Sequence, residues 1–414
     1  MTSPHQGLPI RFGVLGLGHG SQHVLRELQQ HPCIKVVAGA DLRQEALDQF
    51  AQQFGGATYH SVEDLCRSAD VDAVYIMTPN HLHAQHTIIA ADHGKQVITT
   101  KPVALTLEDA DAIIASGERN GVRILAGTTP AFAPGIQKMA EIVAEGELGE
   151  LLMINTWHFI EWLYRPRMPE ELDPRRGGGV VFRQATHQAD ILRVIGGGMV
   201  RSVRAKTSIA DPSRPVEGGY TAHLEFEGGA SATMVFSGYA HYDDSELNYG
   251  TGERGWPRDP NTNLNARRRL RALDRPEDES TLKDSFRFGG SGNDTDPIHQ
   301  TRVGVHPGEP RHSLFGVTIV SCARGDIRQT PTGLKVFGDD AWSDIPLPPA
   351  SVARPRTREL DLMYNAWAAD RPLPAHDARW GKGTLEVCLA ILQSSRERRE
   401  VFLEHQSPYQ TAWH

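Results

Sequence analysis

The sequence is poor in cysteine, carries no excess of basic residues and contains no long apolar run. Its four cysteines, Cys33, Cys66, Cys322 and Cys388, have no paired spacing, which argues against a disulfide framework or a zinc knuckle. The net charge of −8 argues against a nucleic-acid partner. No run approaches the length of a membrane span, so we expect a cytoplasmic protein with neither nucleic-acid nor membrane partners.

Short apolar runs alternate with helix-like segments over the first part of the chain. The runs end at Gly16, Asp41, Met77, Thr100 and Gly127. Strands that are buried on both faces are nearly continuous in apolar residues, as these runs are. The alternation therefore predicts an α/β domain over residues 1–128, with a doubly wound parallel sheet of the Rossmann type.

Glycines follow the first of these runs directly. Gly16 would allow a tight turn, Gly18 would let the backbone approach a pyrophosphate, and His19 and Gly20 lead into the following helix. Gly20 stands one place before the usual third glycine. Asp41 ends the second run, about where an acidic residue binds the adenine ribose. These five residues predict a dinucleotide site.

The residues after the second run bear on which dinucleotide is bound. The carboxylate of Asp41 would repel a 2′-phosphate, which favours NAD over NADP. Arg43 lies two residues further on and could accept that phosphate, so NADP remains an alternative. Both residues are predicted to contact the cofactor.

Two later stretches, TPNHLH at Thr78–His83 and TTKPVAL at Thr99–Leu105, are typical of one particular family. With the glycines, they resemble the Gfo/Idh/MocA oxidoreductase family, whose usual Glu-Lys-Pro appears here with Thr100 in place of the glutamate. The resemblance implies that Lys101 is the acid–base residue, and a strand end is where such a lysine would meet a nicotinamide. It implies that Asn80 and His83 belong to a nicotinamide-side loop. The further residues predicted to contact the cofactor are Thr78, Pro79, Lys101 and Pro102. The histidines of this stretch have no nearby cysteine or carboxylate, so no metal site is predicted.

A second cluster is predicted on a helix that opens with glycines, within Gly177–Gly198. Spacings of four and three would put Arg183, His187 and Asp190 on one face, as in the wall of a substrate site. The resemblance implies that His187 assists Lys101. Asp190 would line this wall and orient His187 or cap local backbone rather than react.

Arg183 stands where the family has an aspartate. An arginine would bind a carboxylate, which predicts a small anionic substrate. Pairing of Arg183 with a carboxylate of the protein is the alternative. Arg165, upstream of the glycines, is a further candidate for substrate binding.

Residues 129–414 are predicted to form an α+β domain with a large, mostly antiparallel open sheet, because several runs alternate between apolar and polar residues. A polar insertion at about 241–312 would hold a short helix, a lid or an oligomer arm. Relatives bury the open sheet face against another subunit, so a homodimer or homotetramer is expected.

Within the family, stretches of the second domain resemble dehydrogenases of aromatic-acid cis-dihydrodiols, such as phthalate 4,5-cis-dihydrodiol. The resemblance implies NAD-dependent oxidation of a carboxylated cis-dihydrodiol to a catechol. One alternative is a sugar, polyol or uronate dehydrogenase. Another is a cofactor-binding sensor without catalysis, against which the retention of Lys101 and His187 argues.

Overall fold

The structure is a computed structural model, and it describes residues 5–273, 275, 277–290 and 309–410. These residues fall into two compact units. The first unit takes the described residues within Met1–Gly127, Ser280–Pro307 and Arg356–Lys382, and the second takes those within Thr128–Glu279, Gly308–Pro355 and Gly383–His414.

The predicted division at residue 128 therefore misses two returns of the chain to the first unit. Contacts between residues far apart in sequence explain them. The hydroxyl of Tyr75 donates to Glu359 Oε1 at 2.8 Å, and the amide of Ala126 donates to the carbonyl of His376 at 2.8 Å. Sequence periodicity carries no information about such pairings.

Six parallel strands form the sheet of the first unit. They are β1 (Ile10–Leu15), β2 (Ile34–Ala40), β3 (Ala57–Tyr59), β4 (Ala73–Ile76), β5 (Gln96–Thr99) and β6 (Ile124–Leu125). Their order is β3-β2-β1-β4-β5-β6, which confirms the predicted Rossmann-type sheet. The order reverses between β1 and β4, and sheets of this kind bind ligands at the carboxyl ends of the strands at that point.

The first five helices connect these strands. They are α1 (Ser21–Gln30), α2 (Gln44–Phe54), α3 (Val62–Arg67), α4 (His83–Asp92) and α5 (Leu107–Asn120). Helix α5 shows how the sequence defines their ends. Thr106 accepts a hydrogen bond from the amide of Asp109, and Gly121 at φ +62° ends the helix in the left-handed conformation.

Nine strands form the sheet of the second unit. They are β7 (Leu151–Phe159), β8 (Val200–Ser208), β9 (Gly219–Phe226), β10 (Ser231–Ser237), β11 (Val317–Cys322), β12 (Gly325–Thr330), β13 (Gly333–Gly338), β14 (Trp342–Pro346) and β15 (Val401–Phe402). Their order is β14-β13-β12-β11-β7-β10-β9-β8-β15, and only β7 and β10 pair in parallel. The predicted α+β unit with a mostly antiparallel sheet is confirmed.

The two faces of this sheet differ in burial. Ile154, Thr156 and His158 of β7 are buried, whereas Met153 and Trp157, which point to the other face, are 45% and 39% exposed. The remaining helices are α6 (Pro134–Glu145), α7 (Thr186–Ile195), α8 (Thr262–Arg271), α9 (Glu277–Ser285), α10 (Pro355–Ala368) and α11 (Ala378–Glu397). No described helix is both long and apolar enough to cross a membrane.

The predicted insertion, residues 241–312, contains α8, α9 and a short 3₁₀ turn over Asp244–Asn248. Its part at 291–308 lies outside the described residues. The described part of the insertion is divided between the two units, because residues 280–290 belong to the first unit and the described residues before and after them belong to the second.

Candidate active site

The loop between β1 and α1 has the shape that a pyrophosphate requires. Gly16 adopts φ +90°, and a Cβ there would lie 2.9 Å from the carbonyl carbon of Met77. A Cβ on Gly18 would meet nothing within 4 Å, so this glycine presents open backbone. Helix α1 starts after Gly20 without a side-chain cap, which suits anion binding by its first amides. Ser21, in place of the usual third glycine, donates to the carbonyl of Gly18 at 2.6 Å.

Asp41 is fixed beside this loop. Its Oδ2 accepts from the amide of Leu17 at 2.8 Å, and its Oδ1 accepts from the amide of Arg43 at 2.9 Å. Each carboxylate oxygen can accept more than one hydrogen bond, so the side chain can also bind a ribose hydroxyl. The open glycine, the uncapped helix and the carboxylate together fit the pyrophosphate and adenosine ribose of a nicotinamide dinucleotide.

The predicted nicotinamide-side loops are joined by His83. The Nδ1 atom of His83 lies 2.7 Å from the carbonyl of Pro102, and its Nε2 atom lies 2.7 Å from the carbonyl of Thr78. The ring is 1% exposed. His83 thus ties the loop after β4 to the loop after β5, which is a bracing position rather than a contact surface. Asn80 is likewise buried, at 7% exposure.

The other residues of these loops lie at the strand ends, as predicted. Lys101 follows the end of β5, is partly exposed, and is joined to Pro102 by a cis peptide bond. The side chain of Thr100 donates to the carbonyl of Ile76 at 3.1 Å. Thr100, which replaces the family's glutamate, therefore braces β4 against β5. Pro79 begins the turn that leads into Asn80.

The predicted helix of the second unit is not a single α-helix. Val181–Ala185 is a π-helical turn, and α7 begins only at Thr186. A π-helical turn has more residues than an α-helical one, and a spacing of four residues is close to one turn of either helix, so the π-helical turn does not by itself separate Arg183 from His187. The shared face of Arg183, His187 and Asp190 therefore stays a prediction. Arg183 and His187 are both partly exposed.

Asp190 is fully buried and is bound by its own chain. Its Oδ2 accepts from the amide of Thr128 at 2.7 Å, and its Oδ1 accepts from the hydroxyl of Thr384 at 3.4 Å. Asp190 therefore caps local backbone, which is one of the roles predicted for it from the sequence. These hydrogen bonds give no support to its other predicted role, contact with substrate. His187 lies 4.9 Å from Phe315, ring centroid to ring centroid.

Arg183 shares a carboxylate with a second arginine. Its Nη1 lies 3.1 Å from Glu171 Oε1, and Arg167 Nη1 lies 3.2 Å from the same oxygen. The predicted alternative, pairing with a protein carboxylate, is therefore present. Burial is the main cause that lowers the pKa of Arg167, to about 10, and the charges of Arg165 and Arg183 lower it further. This low pKa reflects above all the burial of the Arg167 guanidinium group.

Arg165 belongs to a separate buried charge cluster. Its Nε donates to Glu161 Oε1 at 2.6 Å, and its Nη1 donates to Glu253 Oε1 at 3.1 Å. These two carboxylates hold its guanidinium, so Arg165 has a structural role here that the sequence analysis did not foresee.

His158, on the buried face of β7, was missed by the sequence analysis. Its Nδ1 lies 2.7 Å from Asp244 Oδ2, its Nε2 lies 3.6 Å from Glu253, and its ring lies 4.6 Å from that of Phe315. The alternation of β7 placed His158 on the covered face, but its partners are distant in sequence. Among the described residues, no group of His, Cys, Asp or Glu is arranged to hold a metal ion.

Comparison with known families identifies the chain. Residues 10–128 match the oxidoreductase family model with an NAD-binding Rossmann fold, and residues 136–256 match the GFO/IDH/MocA C-terminal domain. The chain is 32% identical over 390 residues to the 1-carboxy-3-chloro-3,4-dihydroxycyclo hexa-1,5-diene dehydrogenase of Comamonas testosteroni, covering 94% of this chain and 95% of that one. The chain belongs to the GFO/IDH/MocA oxidoreductase family, which confirms the predicted family and an NAD(P)-dependent oxidoreductase.

Solved structures show the same fold. A protein from Bordetella bronchiseptica RB50 that is assigned as a dehydrogenase matches with a TM-score of 0.88 and 36% identity, over 96% of this chain and 100% of that one. The WlbA dehydrogenase of Bordetella pertussis, solved with NADH and UDP-GlcNAcA, matches with a TM-score of 0.69 at 20% identity, over 97% and 99%. The second likeness concerns the fold alone.

Proposed function

We propose that this protein is an NAD-dependent dehydrogenase that oxidises a carboxylated cis-dihydrodiol to the corresponding catechol. The observation that carries the proposal is the partial exposure of Arg183, whose guanidinium group shares one oxygen of Glu171 with the buried Arg167. The Comamonas testosteroni relative supports the substrate class, because its name describes a carboxylated dihydroxycyclohexadiene.

The electrostatics favour an anionic substrate over a neutral one. Two guanidinium groups bind one carboxylate oxygen, so two positive charges lie close together and are balanced there by one negative charge. A substrate carboxylate near Arg183 would supply a second negative charge and relieve the repulsion between the two positive charges. Guanidinium groups bind carboxylates through two parallel hydrogen bonds, which also orients the ring. Arg167 itself is buried and its guanidinium stacks 3.6 Å from the centre of the Trp162 ring, so Arg183 is the arginine left to meet the substrate.

The reaction needs one proton and one hydride to leave the same carbinol. We assign the hydroxyl proton to the Nζ atom of Lys101, with His187 assisting its transfer to solvent. NAD held by the glycine loop and Asp41 would supply the acceptor for the hydride of the carbinol carbon. The hydroxy-ketone that remains tautomerises to the aromatic catechol, and this step favours oxidation over the reverse reaction. His83 and Thr100 hold the two strand-end loops in register for this chemistry.

We propose NAD rather than NADP as the cofactor. Asp41 presents its carboxylate beside the glycine loop, where it can bind ribose hydroxyls and would repel a 2′-phosphate. The expected cytoplasmic location stays part of the proposal, and no disulfide forms among the cysteines of the described chain.

We also propose that the protein assembles as a homodimer or homotetramer through the open face of its nine-stranded sheet. Exposed apolar side chains on this face include Met153, Trp157, Phe337 and Trp342. An exposed apolar face of this kind marks a surface for association.

The test of the activity is NADH formation with a panel of substrates. The panel contains carboxylated cis-dihydrodiols, benzene cis-dihydrodiol, glucose, inositol and a uronic acid, with product identification by chromatography. Turnover of the carboxylated diols to catechols supports the proposal. Turnover of a sugar or a uronate instead would assign the protein to the polyol-oxidising alternative. NADH binding without turnover of any compound would favour a sensor and contradict the proposed activity.

A further inference from the structure

A segment of the insertion packs on the adenosine side of the dinucleotide loop, and neither the family models nor the substrate proposal accounts for it. We call this segment, residues 280–290, the strap. It includes the end of α9 and the residues that follow it, and it belongs to the first unit. We propose that the strap holds Arg43 away from the cofactor and thereby enforces selection of NAD over NADP. The inference rests on the proposed dinucleotide site.

Each nitrogen atom of the Arg43 guanidinium group donates a hydrogen bond within the protein. Its Nη1 donates to the carbonyl of Phe288 in the strap at 3.2 Å, and its Nη2 donates to the carbonyl of Leu17 at 2.6 Å. Its Nε donates to Asp41 Oδ1 at 3.2 Å. Each of the three nitrogen atoms thus already serves an acceptor of the protein.

An arginine just after the second strand is where a 2′-phosphate would find its countercharge. Arg43 has the right residue type and position for that role, yet the strap supplies one of the three acceptors that fix it. Without the carbonyl of Phe288, one arm of the guanidinium would be able to turn toward the adenosine ribose. The selection of NAD then depends on a contact across 245 positions in sequence, in addition to the charge of Asp41.

The strap is seated closely enough to perform this function. Phe286 and Phe288 are 4% and 3% exposed, and the carbonyl of Phe286 lies 3.0 Å from Nδ1 of His19 in the glycine loop. Gly289 adopts φ +78°, and a Cβ on it would lie 2.8 Å from the backbone nitrogen of Ala46, in the first turn of α2. Only glycine permits this approach, because the atoms it meets are backbone and cannot move aside.

The close approach at Gly289 supplies the test. A Gly289→Ala variant should lift the strap from α2 and release Arg43 without altering any side chain that contacts the cofactor. Gly55→Ala is the matched control, since Gly55 ends the same helix at φ +65° with nothing within 4 Å of its Cβ position. Dissociation constants for NADH and NADPH are measured by nucleotide fluorescence, so the readout does not depend on activity.

The ratio of the NADPH to the NADH dissociation constant should fall about tenfold in Gly289→Ala, which corresponds to about 1.4 kcal/mol. It should stay at the wild-type value in Gly55→Ala. Adding Arg43→Ala to Gly289→Ala should restore the wild-type ratio, whereas Arg43→Ala alone should leave that ratio nearly unchanged. Phe288→Ala, which loosens the strap by removing a buried ring, serves as the second variant if Gly289→Ala does not fold.

The outcomes separate this inference from the proposed function. Wild-type protein that binds neither dinucleotide contradicts the cofactor site itself. Wild-type protein that binds NADH, with the same ratio in both strap variants, overturns the role of the strap and leaves the dehydrogenase proposal standing. A lowered ratio that Arg43→Ala does not reverse overturns the role of Arg43.

Discussion

Alanine at Gly16 should destabilise the protein whereas alanine at Gly18 should leave its stability nearly unchanged, although the two glycines are only two residues apart. At Gly18 a Cβ meets nothing within 4 Å, so Gly18→Ala should change the free energy of unfolding by no more than about 0.5 kcal/mol. The added methyl group would occupy the space that the pyrophosphate needs. We therefore expect the NADH dissociation constant to rise at least about tenfold, or about 1.4 kcal/mol.

At Gly16 the same change meets the chain itself. The residue adopts φ +90°, and alanine in a left-handed conformation costs about 1–2 kcal/mol. Its Cβ would lie 2.9 Å from the carbonyl oxygen and carbon of Met77, and forcing extra atoms into a packed region costs about 1–3 kcal/mol more. Gly16→Ala should therefore lower the free energy of unfolding by about 2–5 kcal/mol and weaken NADH binding as well.

Two measurements separate the variants: urea unfolding monitored by circular dichroism, and NADH titration monitored by fluorescence. We expect a stable Gly18→Ala variant with weak binding and a destabilised Gly16→Ala variant. A Gly18→Ala variant that binds NADH as well as wild type would show that the pyrophosphate does not lie over this glycine. An undiminished stability of Gly16→Ala would show that the loop after β1 does not approach Met77 closely.

Three further predictions concern the second unit. Arg183→Gln should lower kcat/KM for a carboxylated diol by about ten- to hundredfold, because a hydrogen bond to a charged group contributes about 1.5–3 kcal/mol. Arg175→Gln, at an exposed position, is the control and should leave kcat/KM unchanged. Although burial opposes its charge, Asp244 and Glu253 raise the pKa of His158 from 6.5 to about 9. Its contribution to stability is then complete below pH 6.5 and lost as pH rises through 9, and Asp244→Asn should flatten this part of a pH series of unfolding free energies. Trp157→Glu should dissociate the oligomer in light scattering, and a monomeric wild type would contradict the proposed assembly.

The fold of the first unit could be predicted well from the sequence, because the patterns that define it lie within short stretches of the chain. Continuous apolar runs define the parallel strands, and the glycines after β1 and Asp41 after β2 lie within a few residues of those strands. The strand-end positions of Lys101 and the TPNHLH stretch follow from the same pattern. The bracing role of His83 did not follow, because its partner Pro102 lies 19 residues away on another loop.

The structural features that the sequence did not predict depend mostly on contacts between residues that are far apart in the chain. The carboxylate that Arg183 shares with Arg167 comes from Glu171, in a 3₁₀ turn that no periodicity marks. The partner of His158, Asp244, is 86 residues away within the insertion. The π-helical turn at Val181–Ala185 adds residues to a turn, and composition alone does not reveal such a change. The strap reaches the dinucleotide loop from the middle of the insertion, which the sequence indicated only as a polar stretch.

The most direct test of the account is the ratio of wild-type kcat/KM for a carboxylated cis-dihydrodiol to that for benzene cis-dihydrodiol, measured with NAD. Both compounds offer the same oxidisable carbinols, and only the first offers a carboxylate to Arg183. We expect a ratio of about ten to one hundred, because only one charge-assisted contact differs between the two compounds. A ratio near one, with good turnover of both diols, would contradict recognition of an anionic substrate.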